Sequence, residues 1–586
     1  MTDPLRNSMV ALLACCTATV SMAGPLRIQE VAPDSAVAVL QVREVSDLVA
    51  TLRGHGVLID EDEADWDAYI GSVADELPSG FSVVLDGVLQ ETGALDLISS
   101  MSIGVATWID DGDRGKSLTV AGWVDFGVQA EPITTAWDAA WEEIRKRPSA
   151  VTESVLGRDV DRLQSQADAE SPADPMPKDL WAVRAEGRAY ISNTRAGMER
   201  LLDAADGTTF DDALGDSESW SAVRGMVGPH DALLFALFTE RAFEAGGLFD
   251  PMGLTHMLQA STDAFIGPIR AIAVAGGTGG SDTMVEASAA LWMPEGLGGL
   301  LRLLAGDTQI GGVPKWLGPD AISVTRLNVR FKRIPDWLRQ VVASNPMLMG
   351  VGQMLDQIEP AMRAILDPLD REMLMIGTLT HPISQESLRD LQVIACSNPV
   401  GLSDALTATA AESGMEPREF QGHQIWSTEL DGLGPLPMPG MPAGRVSLAV
   451  AADSLLVGDD AAVEAALRSI GDHGRDGPAW AGRVLDQFPD EAVAAWGGWN
   501  LPESLIAAAE VSRLRMRAWE AELKADDPEL WEEIKGELAE EADSESTERA
   551  AKFAEALGPL GWWATSADDG FRLRLFVLPS EAAASR

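Results

Sequence analysis

The sequence predicts an α+β protein that is internally duplicated, with mainly antiparallel sheets, packed helices and two similar halves. Three observations lead there. Seven blocks recur in the same order along the 586-residue chain. Many of the strand-like runs come in pairs around turns rich in Gly, Asn or Asp, as antiparallel hairpins require. Helix-like and strand-like stretches are interspersed without the regular βαβ rhythm of a doubly wound parallel sheet.

The first half, residues 26–305, opens on "APDSAVAVLQV" (Ala32 to Val42), and the second, residues 313–582, on "GPDAISVTRLNV" (Gly318 to Val329). In each, Pro-Asp leads into an apolar strand. A helix-like segment follows, "REVSDLVATLRGHG" and "RFKRIPDWLRQVVAS". Two strands come next. "SIGVATWI" aligns with "MIGTLTHPI", which pairs Gly104 with Gly377, and "SLTVAGWVD" aligns with "DLQVIACSN", which pairs Leu118 with Leu391. After a helix-like stretch, "LGRDVDRL" answers "FQGHQIWS", matching Gly157 to Gly422. A Pro-rich loop then precedes "LWAVRAEGRAYISNTRAGMERLL" and "RVSLAVAADSLLVGDDAAVEAAL", each a strand, turn, strand and polar helix start. Asn193-Thr194 and Asp459-Asp460 supply the side chains that cap those helices. Trp220 and Pro229 match Trp480 and Pro489, and each half closes on a hairpin. The expected order in each half is thus β, α, two strands, α, a strand, a hairpin and α, ending in β, α and a hairpin.

The halves differ most near residues 510–556, where the second carries a charged helical insertion. Leu514, Trp519, Leu523, Leu530, Trp531, Ile534 and Leu538 recur there at helical spacing, and "DDPEL" breaks the run into two helices. The expectation is an amphipathic pair packed on its own half; the sharper alternative is a partner-binding projection.

Apolar content of 46% with 23% charged residues is enough for a large core, and the length suits several domains. The formal net charge is -47. Phosphate backbones demand cations, so no nucleic acid is expected as a partner, and anionic lipid surfaces are disfavoured. An acidic surface poor in Lys also suits a salty medium that screens self-repulsion. Residues 1–23 read as a signal peptide: Arg6 precedes the apolar "VALLACCTATV", and Ser21 and Ala23 present the small-residue cleavage pattern. That run is too short to span a bilayer, so no transmembrane segment is expected in the mature chain. The chain is therefore expected to be exported, periplasmic or extracellular. "LLAC" before Cys15 gives the rival reading of a lipoprotein anchored through that residue.

Chemistry is hard to find. Cys396 is the one cysteine beyond the tag and reads as a buried strand residue rather than a nucleophile. The six histidines, His55, His230, His256, His381, His423 and His473, show no metal-ligand spacing. "GDSES" (Gly215 to Ser219) lacks the nucleophile-elbow pattern and reads as a helix-capping turn before Trp220. "DEDEADWD" (Asp60 to Asp67) and "DDGDRG" (Asp110 to Gly115) resemble calcium loops loosely. The first lacks the sixth-position Gly and the second lacks the closing Glu, so the second reads as a hairpin turn. "AGGTGGSD" (Ala275 to Asp282) sits between strands and opens no helix, unlike a phosphate loop. Of the 18 tryptophans, Trp108, Trp123, Trp137, Trp141 and Trp181 read as core, with a sugar- or lipid-contacting surface as the minority reading. No catalytic, cofactor-binding or metal-binding residue is assigned, and no cofactor is expected.

The Pro-Asp strand opening at Pro33 and Pro319, the "AYISNTRAGMERLL" block and the Trp-to-Pro segments together resemble a group of exported bacterial proteins classed as domain of unknown function 3352. The resemblance covers most of the mature chain and implies neither an activity nor functional residues. The expected function is an exported, non-enzymatic binding or structural protein of the cell envelope, whose partner is another protein or an envelope component. The alternatives are a carboxylate-dependent hydrolase acting on envelope or extracellular polymers, with two acids about 5–10 Å apart and one pKa raised, and a carrier of apolar ligands.

Overall fold

The computed structural model describes residues 26–55, 101–125, 138–164, 179–304, 312–429, 445–470, 477–526 and 554–581, apart from short gaps within these stretches, together with residues 531 and 551. The chain divides into two compact units. The first comprises residues up to Gln259 with Ile269–Gly280 and Val285–Glu295, and the second comprises Ala260–Pro268, Ser281–Met284 and Gly296–Arg586.

The first unit contains strands β1 (Ala36–Val42), β2 (Ser102–Gly112), β3 (Gly115–Asp125), β4 (Ala150–Val155), β5 (Arg158–Leu163), β6 (Leu180–Ala185), β7 (Arg188–Ser192), β8 (Leu233–Phe238), β9 (Ala271–Thr278) and β10 (Val285–Trp292). They pair antiparallel throughout, in the spatial order β4-β5-β6-β7-β3-β2-β1-β8-β9-β10. Helix α1 (Val45–Gly54) follows β1, α2 (Arg195–Ala205) follows β7, α3 (Glu218–Val227) precedes β8, and α4 (Thr239–Leu248) follows it. The burial of alternate residues fixes which sheet face forms the core. Val39, Ala106, Trp108, Ala121, Trp123 and Ala236 turn to one side, where Met198, Leu201 and Leu202 of α2 and Trp220, Val223 and Val227 of α3 close over them.

The second unit contains β11 (Ala321–Asn328), β12 (Leu369–Leu379), β13 (Leu388–Cys396), β14 (Glu416–Phe420), β15 (His423–Glu429), β16 (Arg445–Ala451), β17 (Ser454–Gly458), β18 (Ala495–Trp499), β19 (Leu557–Ala567) and β20 (Gly570–Pro579). Its antiparallel order is β14-β15-β16-β17-β13-β12-β11-β18-β19-β20. Among its helices are α5 (Ile334–Ser344), α6 (Met349–Leu366), α7 (Pro399–Ser413), α8 (Asp460–Ser469), α9 (Ala479–Leu485) and α10 (Leu501–Asp526). Val324, Ile376, Leu391 and Val393 face Val463, Ala466 and Leu467 of α8. A second core on this unit joins Leu402 and Leu406 of α7 to Ile394, Leu455 and Val457.

Strand for strand, the two sheets have the same order. The details agree as well. A register shift falls between Ala36 and Ala38 of β1, and another between Ala321 and Ser323 of β11. The β4–β5 hairpin turns on Leu156-Gly157, with φ of 50° and 74°, and the β14–β15 hairpin on Gln421-Gly422, with φ of 51° and 81°. Both are tight two-residue turns of positive φ, which is why a Gly stands second in each. Thr194 Oγ1 accepts from Gly197 N at the start of α2, and Asp459 Oδ1 accepts from Ala462 N at the start of α8. An ion pair links the hairpin to the capped helix in each unit, with its charges exchanged. Glu153 meets Arg195 at 3.7 Å in the first, and Arg418 meets Asp460 at 3.0 Å in the second.

Two expectations are corrected. Matching shift to shift aligns Ala38 with Ser323, hence Thr107 with Gly377, their partners across the sheet. Gly104 and Gly377 therefore do not correspond, although both are glycines. Gly104 leaves room for the Trp123 indole, while Gly377 leaves room for Ser323 Oγ. The strands β4 and β14 were also missed, because "AVTESV" and "EPREF" carry too few apolar residues to read as strands. Each is the end strand of its sheet and largely solvated.

Candidate functional site

Most of the residues considered from the sequence turn out to be structural. Ser217 Oγ accepts from Trp220 N at 3.2 Å and caps α3, so "GDSES" is a helix start. Gly112 pairs with Gly115 across the β2–β3 hairpin, and Ala275 to Thr278 belong to β9, which pairs with β10. Trp108, Trp123, Trp141 and Trp181 are buried. Asp60 to Asp67 and Trp137 lie outside the described residues, as does most of the second helix expected in the insertion. The first is α10, which ends at Asp526 ahead of Pro528. His230 approaches Glu286 at 3.7 Å and His381 approaches Glu503 at 3.4 Å. Among the described residues, no group of three His, Cys, Asp or Glu side chains is placed to hold a metal ion. Cys396 is 3% exposed at the end of β13. Burial pushes its thiol pKa up; a backbone contact with Asn398 opposes this, and Asp370 and Asp453 add to it.

Two carboxylates, one in each unit, are also bound internally. In the first unit, Asp161 accepts from Trp141 Nε1 at 2.5 Å, from Arg145 Nε at 2.8 Å and from Thr152 Oγ1 at 2.8 Å. In the second, Asp460 accepts from Ser427 Oγ at 3.0 Å, from Ser447 Oγ and from Arg418 at 3.0 Å. Burial works to raise the Asp460 pKa, but the bonds from Ser447, Arg418 and Ser427 outweigh it and hold the carboxyl below the usual range. Both carboxylates tie strands to a helix. Neither is left over for a reaction.

One surface stands apart. Residues directly opposite on paired strands share a sheet face. In the second unit, Trp499, Ser323, Gly377 and Asp390 form one such row across β18, β11, β12 and β13. Trp562, Gly497, Thr325, Met375 and Gln392 form the next row on the same face. This face is opposite the one that packs against α8 and α9, where Gly498 meets Trp480 and Val484. Trp499 is 37% exposed, Asp390 is exposed, and Ser323, Thr325, Gln392 and Trp562 are half-buried. Helix α10 begins at Leu501, two residues after Trp499, and lies against β11 and β19, with Ala507 packed against Leu379 on this same face.

The geometry of the patch depends on its two glycines. A Cβ at Gly497 would lie 2.5 Å from Trp562 Nε1 and 2.8 Å from Thr325 Oγ1, so the absent side chain is what lets the indole lie flat across the strand. A Cβ at Gly377 would collide with Ser323 Oγ and lie 3.7 Å from Asp390 Oδ1. Ser323 Oγ in turn accepts from Gly377 N at 3.1 Å. The Trp499 and Trp562 rings stack with centroids 6.4 Å apart and planes at 30°. The Trp562 indole N–H is buried and finds no acceptor among the described residues. Although Asp390 is exposed as a residue, the packing around its carboxyl raises its pKa by desolvation, and the Asp459 carboxylate, which itself caps α8, raises it further.

By position in the sheet, the first unit has Thr107 for Gly377, Val105 for Met375 and Gly122 for Gln392, and differs in character at the other six row positions. Register places Ala38 where Ser323 stands, Leu40 for Thr325, Val120 for Asp390, Phe235 for Gly497, Leu237 for Trp499 and Val274 for Trp562. Six apolar residues face six that are polar, aromatic or glycine. Sequence reasoning missed the patch because pairing Gly104 with Gly377 shifts β12 and β13 by an odd number of residues, which exchanges the two faces. The available signal was the pair of dipeptides in "GGW" and "GWW", where Gly stands beside Trp on adjacent strands.

Comparison with protein-family models, with curated proteins and with solved structures finds no match for this chain. Among the described residues no helix is long and apolar enough to cross a membrane.

Proposed function

We propose that the chain is an exported, non-enzymatic binding protein of the cell envelope, built from two copies of one ancestral module of which the second has acquired the binding face. The single observation that carries this reading is that six of the nine positions in these two rows, apolar in the first unit, are tryptophan, glycine or polar in the second. Both faces are half-buried, so the difference is one of chemistry: aromatic rings edged by hydrogen-bonding groups are what a ligand site needs. Duplication is supported by the common strand order, the matched register shifts, the positive-φ turns, the caps and the exchanged ion pair. The resemblance to exported proteins of the domain of unknown function 3352 type belongs to the same proposal.

Insoluble envelope material incubated with the purified protein tests it. Retention without release of soluble fragments is the expected outcome, and it should fall sharply for Trp499→Ala. Steady release of fragments that stops in Asp390→Asn would instead favour hydrolysis, which the raised Asp390 pKa supports. A carrier of apolar ligands is the second reading. It rests on the first unit, whose equivalent face keeps Leu40, Phe235 and Leu237 half-buried and Leu233 42% exposed. Native mass spectrometry that finds no co-purified lipid removes it.

A further inference from the structure

Resting on the proposed binding face, we infer that its ligand is a neutral, hydroxyl-rich saccharide stacked on the Trp499–Trp562 shelf. Four features define the ligand class. The two rings lie close to parallel, 30° apart, in a stacked pair, and Trp499 is 37% exposed. An exposed indole face backed by a second ring suits the flat C–H face of a sugar ring, and two near-parallel rings do not converge on a cation from several sides. The flanking groups are Ser323, Thr325 and Asp390, all able to accept from a hydroxyl, and the two alcohols also donate. The buried Trp562 N–H lacks an acceptor among the described residues and lies over Gly497 beside Thr325 Oγ1. A ligand oxygen reaching it would pair a donor that is otherwise costly to bury. The two rows are two residues apart along the strands, about 7 Å at the usual rise, comparable with the 6.4 Å between the ring centroids. Apolar and polar contacts are therefore spaced alike, as a ring carrying hydroxyls on its rim requires.

Charge completes the argument. None of these row positions is Lys, Arg or His, and the whole chain carries a net charge of -47. Anionic polymers are repelled at long range and find no cation in the patch. A neutral saccharide has no such penalty. The glycines matter here too, since at Gly497 any side chain would displace Trp562 or Thr325.

A glycan array carrying neutral, acidic and amino-sugar oligosaccharides, probed with the full-length mature protein, tests the inference. Binding confined to neutral members is expected. Trp499→Ala should weaken it about tenfold or more, and Thr325→Val and Asp390→Asn by less. Leu237→Ala, at the matching position of the first unit, should leave it unchanged. Circular dichroism and melting of each variant guard against simple unfolding. Binding to no member, binding only to charged members, or equal binding by Trp499→Ala overturns the inference. If envelope material is still retained through Trp499 while the array stays blank, the saccharide is wrong and the binding face stands. If retention is absent as well, both readings fail.

Discussion

At the scale of single residues, two carboxylates of the second unit are held in opposite senses. Asp460 has its pKa depressed by hydrogen bonds that overcome its burial. Its contribution to stability is therefore full above the ordinary carboxylate range and fades as pH falls through the depressed value. Melting temperatures measured across the acid range should show this loss, and Asp460→Asn should flatten that part of the curve; an unchanged acid limb would contradict the network. Asp390 has the reverse sign: burial and Asp459 raise its pKa, so its ionisation costs stability as pH rises. Cys396 should react slowly with thiol reagents at neutral pH and quickly once denaturant is added, because its thiol is buried and its pKa raised. Equal rates in both conditions would show that β13 opens readily. That cysteine was legible from its apolar strand context. The role of Gly497 was not, because the side chain it makes room for comes from a neighbouring strand, Trp562, far along the chain.

At the scale of elements, local chemistry predicted the parts whose causes are local. Asn193-Thr194 and Asp459-Asp460 announced two helix starts, and Thr194 and Asp459 do cap them. Asn193 does something the sequence did not reveal: its side chain bridges β3, with Oδ1 accepting from Val120 N at 2.7 Å and Nδ2 donating to Leu118 O at 2.9 Å. Thr194→Ala and Asp459→Ala should each cost about 1 kcal/mol in denaturant titrations. A cost near zero at both would mean that packing alone sets those helix starts. The amphipathic insertion likewise divides by cause. Ala507 and Val511 of α10 are buried, whereas Trp519, two turns on, is 43% exposed. Periodicity announced a helix there but not where its apolar stripe would leave the sheet, since that depends on the length of β19 beneath it. The end strands β4 and β14 escaped notice for the opposite reason: their pairing depends on backbone hydrogen bonds, to which an apolar pattern is blind.

At the scale of the whole molecule, charge is the dominant unbalanced quantity. A net charge of -47 on one chain is self-repelling, and dissolved salt shortens the range of that repulsion to about 3 Å at 1 M. Melting temperature should therefore rise steadily from dilute buffer to molar salt, and a flat response would show that the acids are already neutralised by internal pairing. The common strand order in the two units raises a different hazard. Tandem modules that fold alike can trade equivalent segments and trap the nascent chain in a knot of mismatched partners. The exchanged ion pair acts against that. If the β4 hairpin met the helix of the other unit, Glu153 would confront Asp460, and if the β14 hairpin did so, Arg418 would confront Arg195, each a repulsion where the proper partner attracts. Reversing the polarity of one contact thus gives each unit its own password, so that the chain closes each unit upon itself.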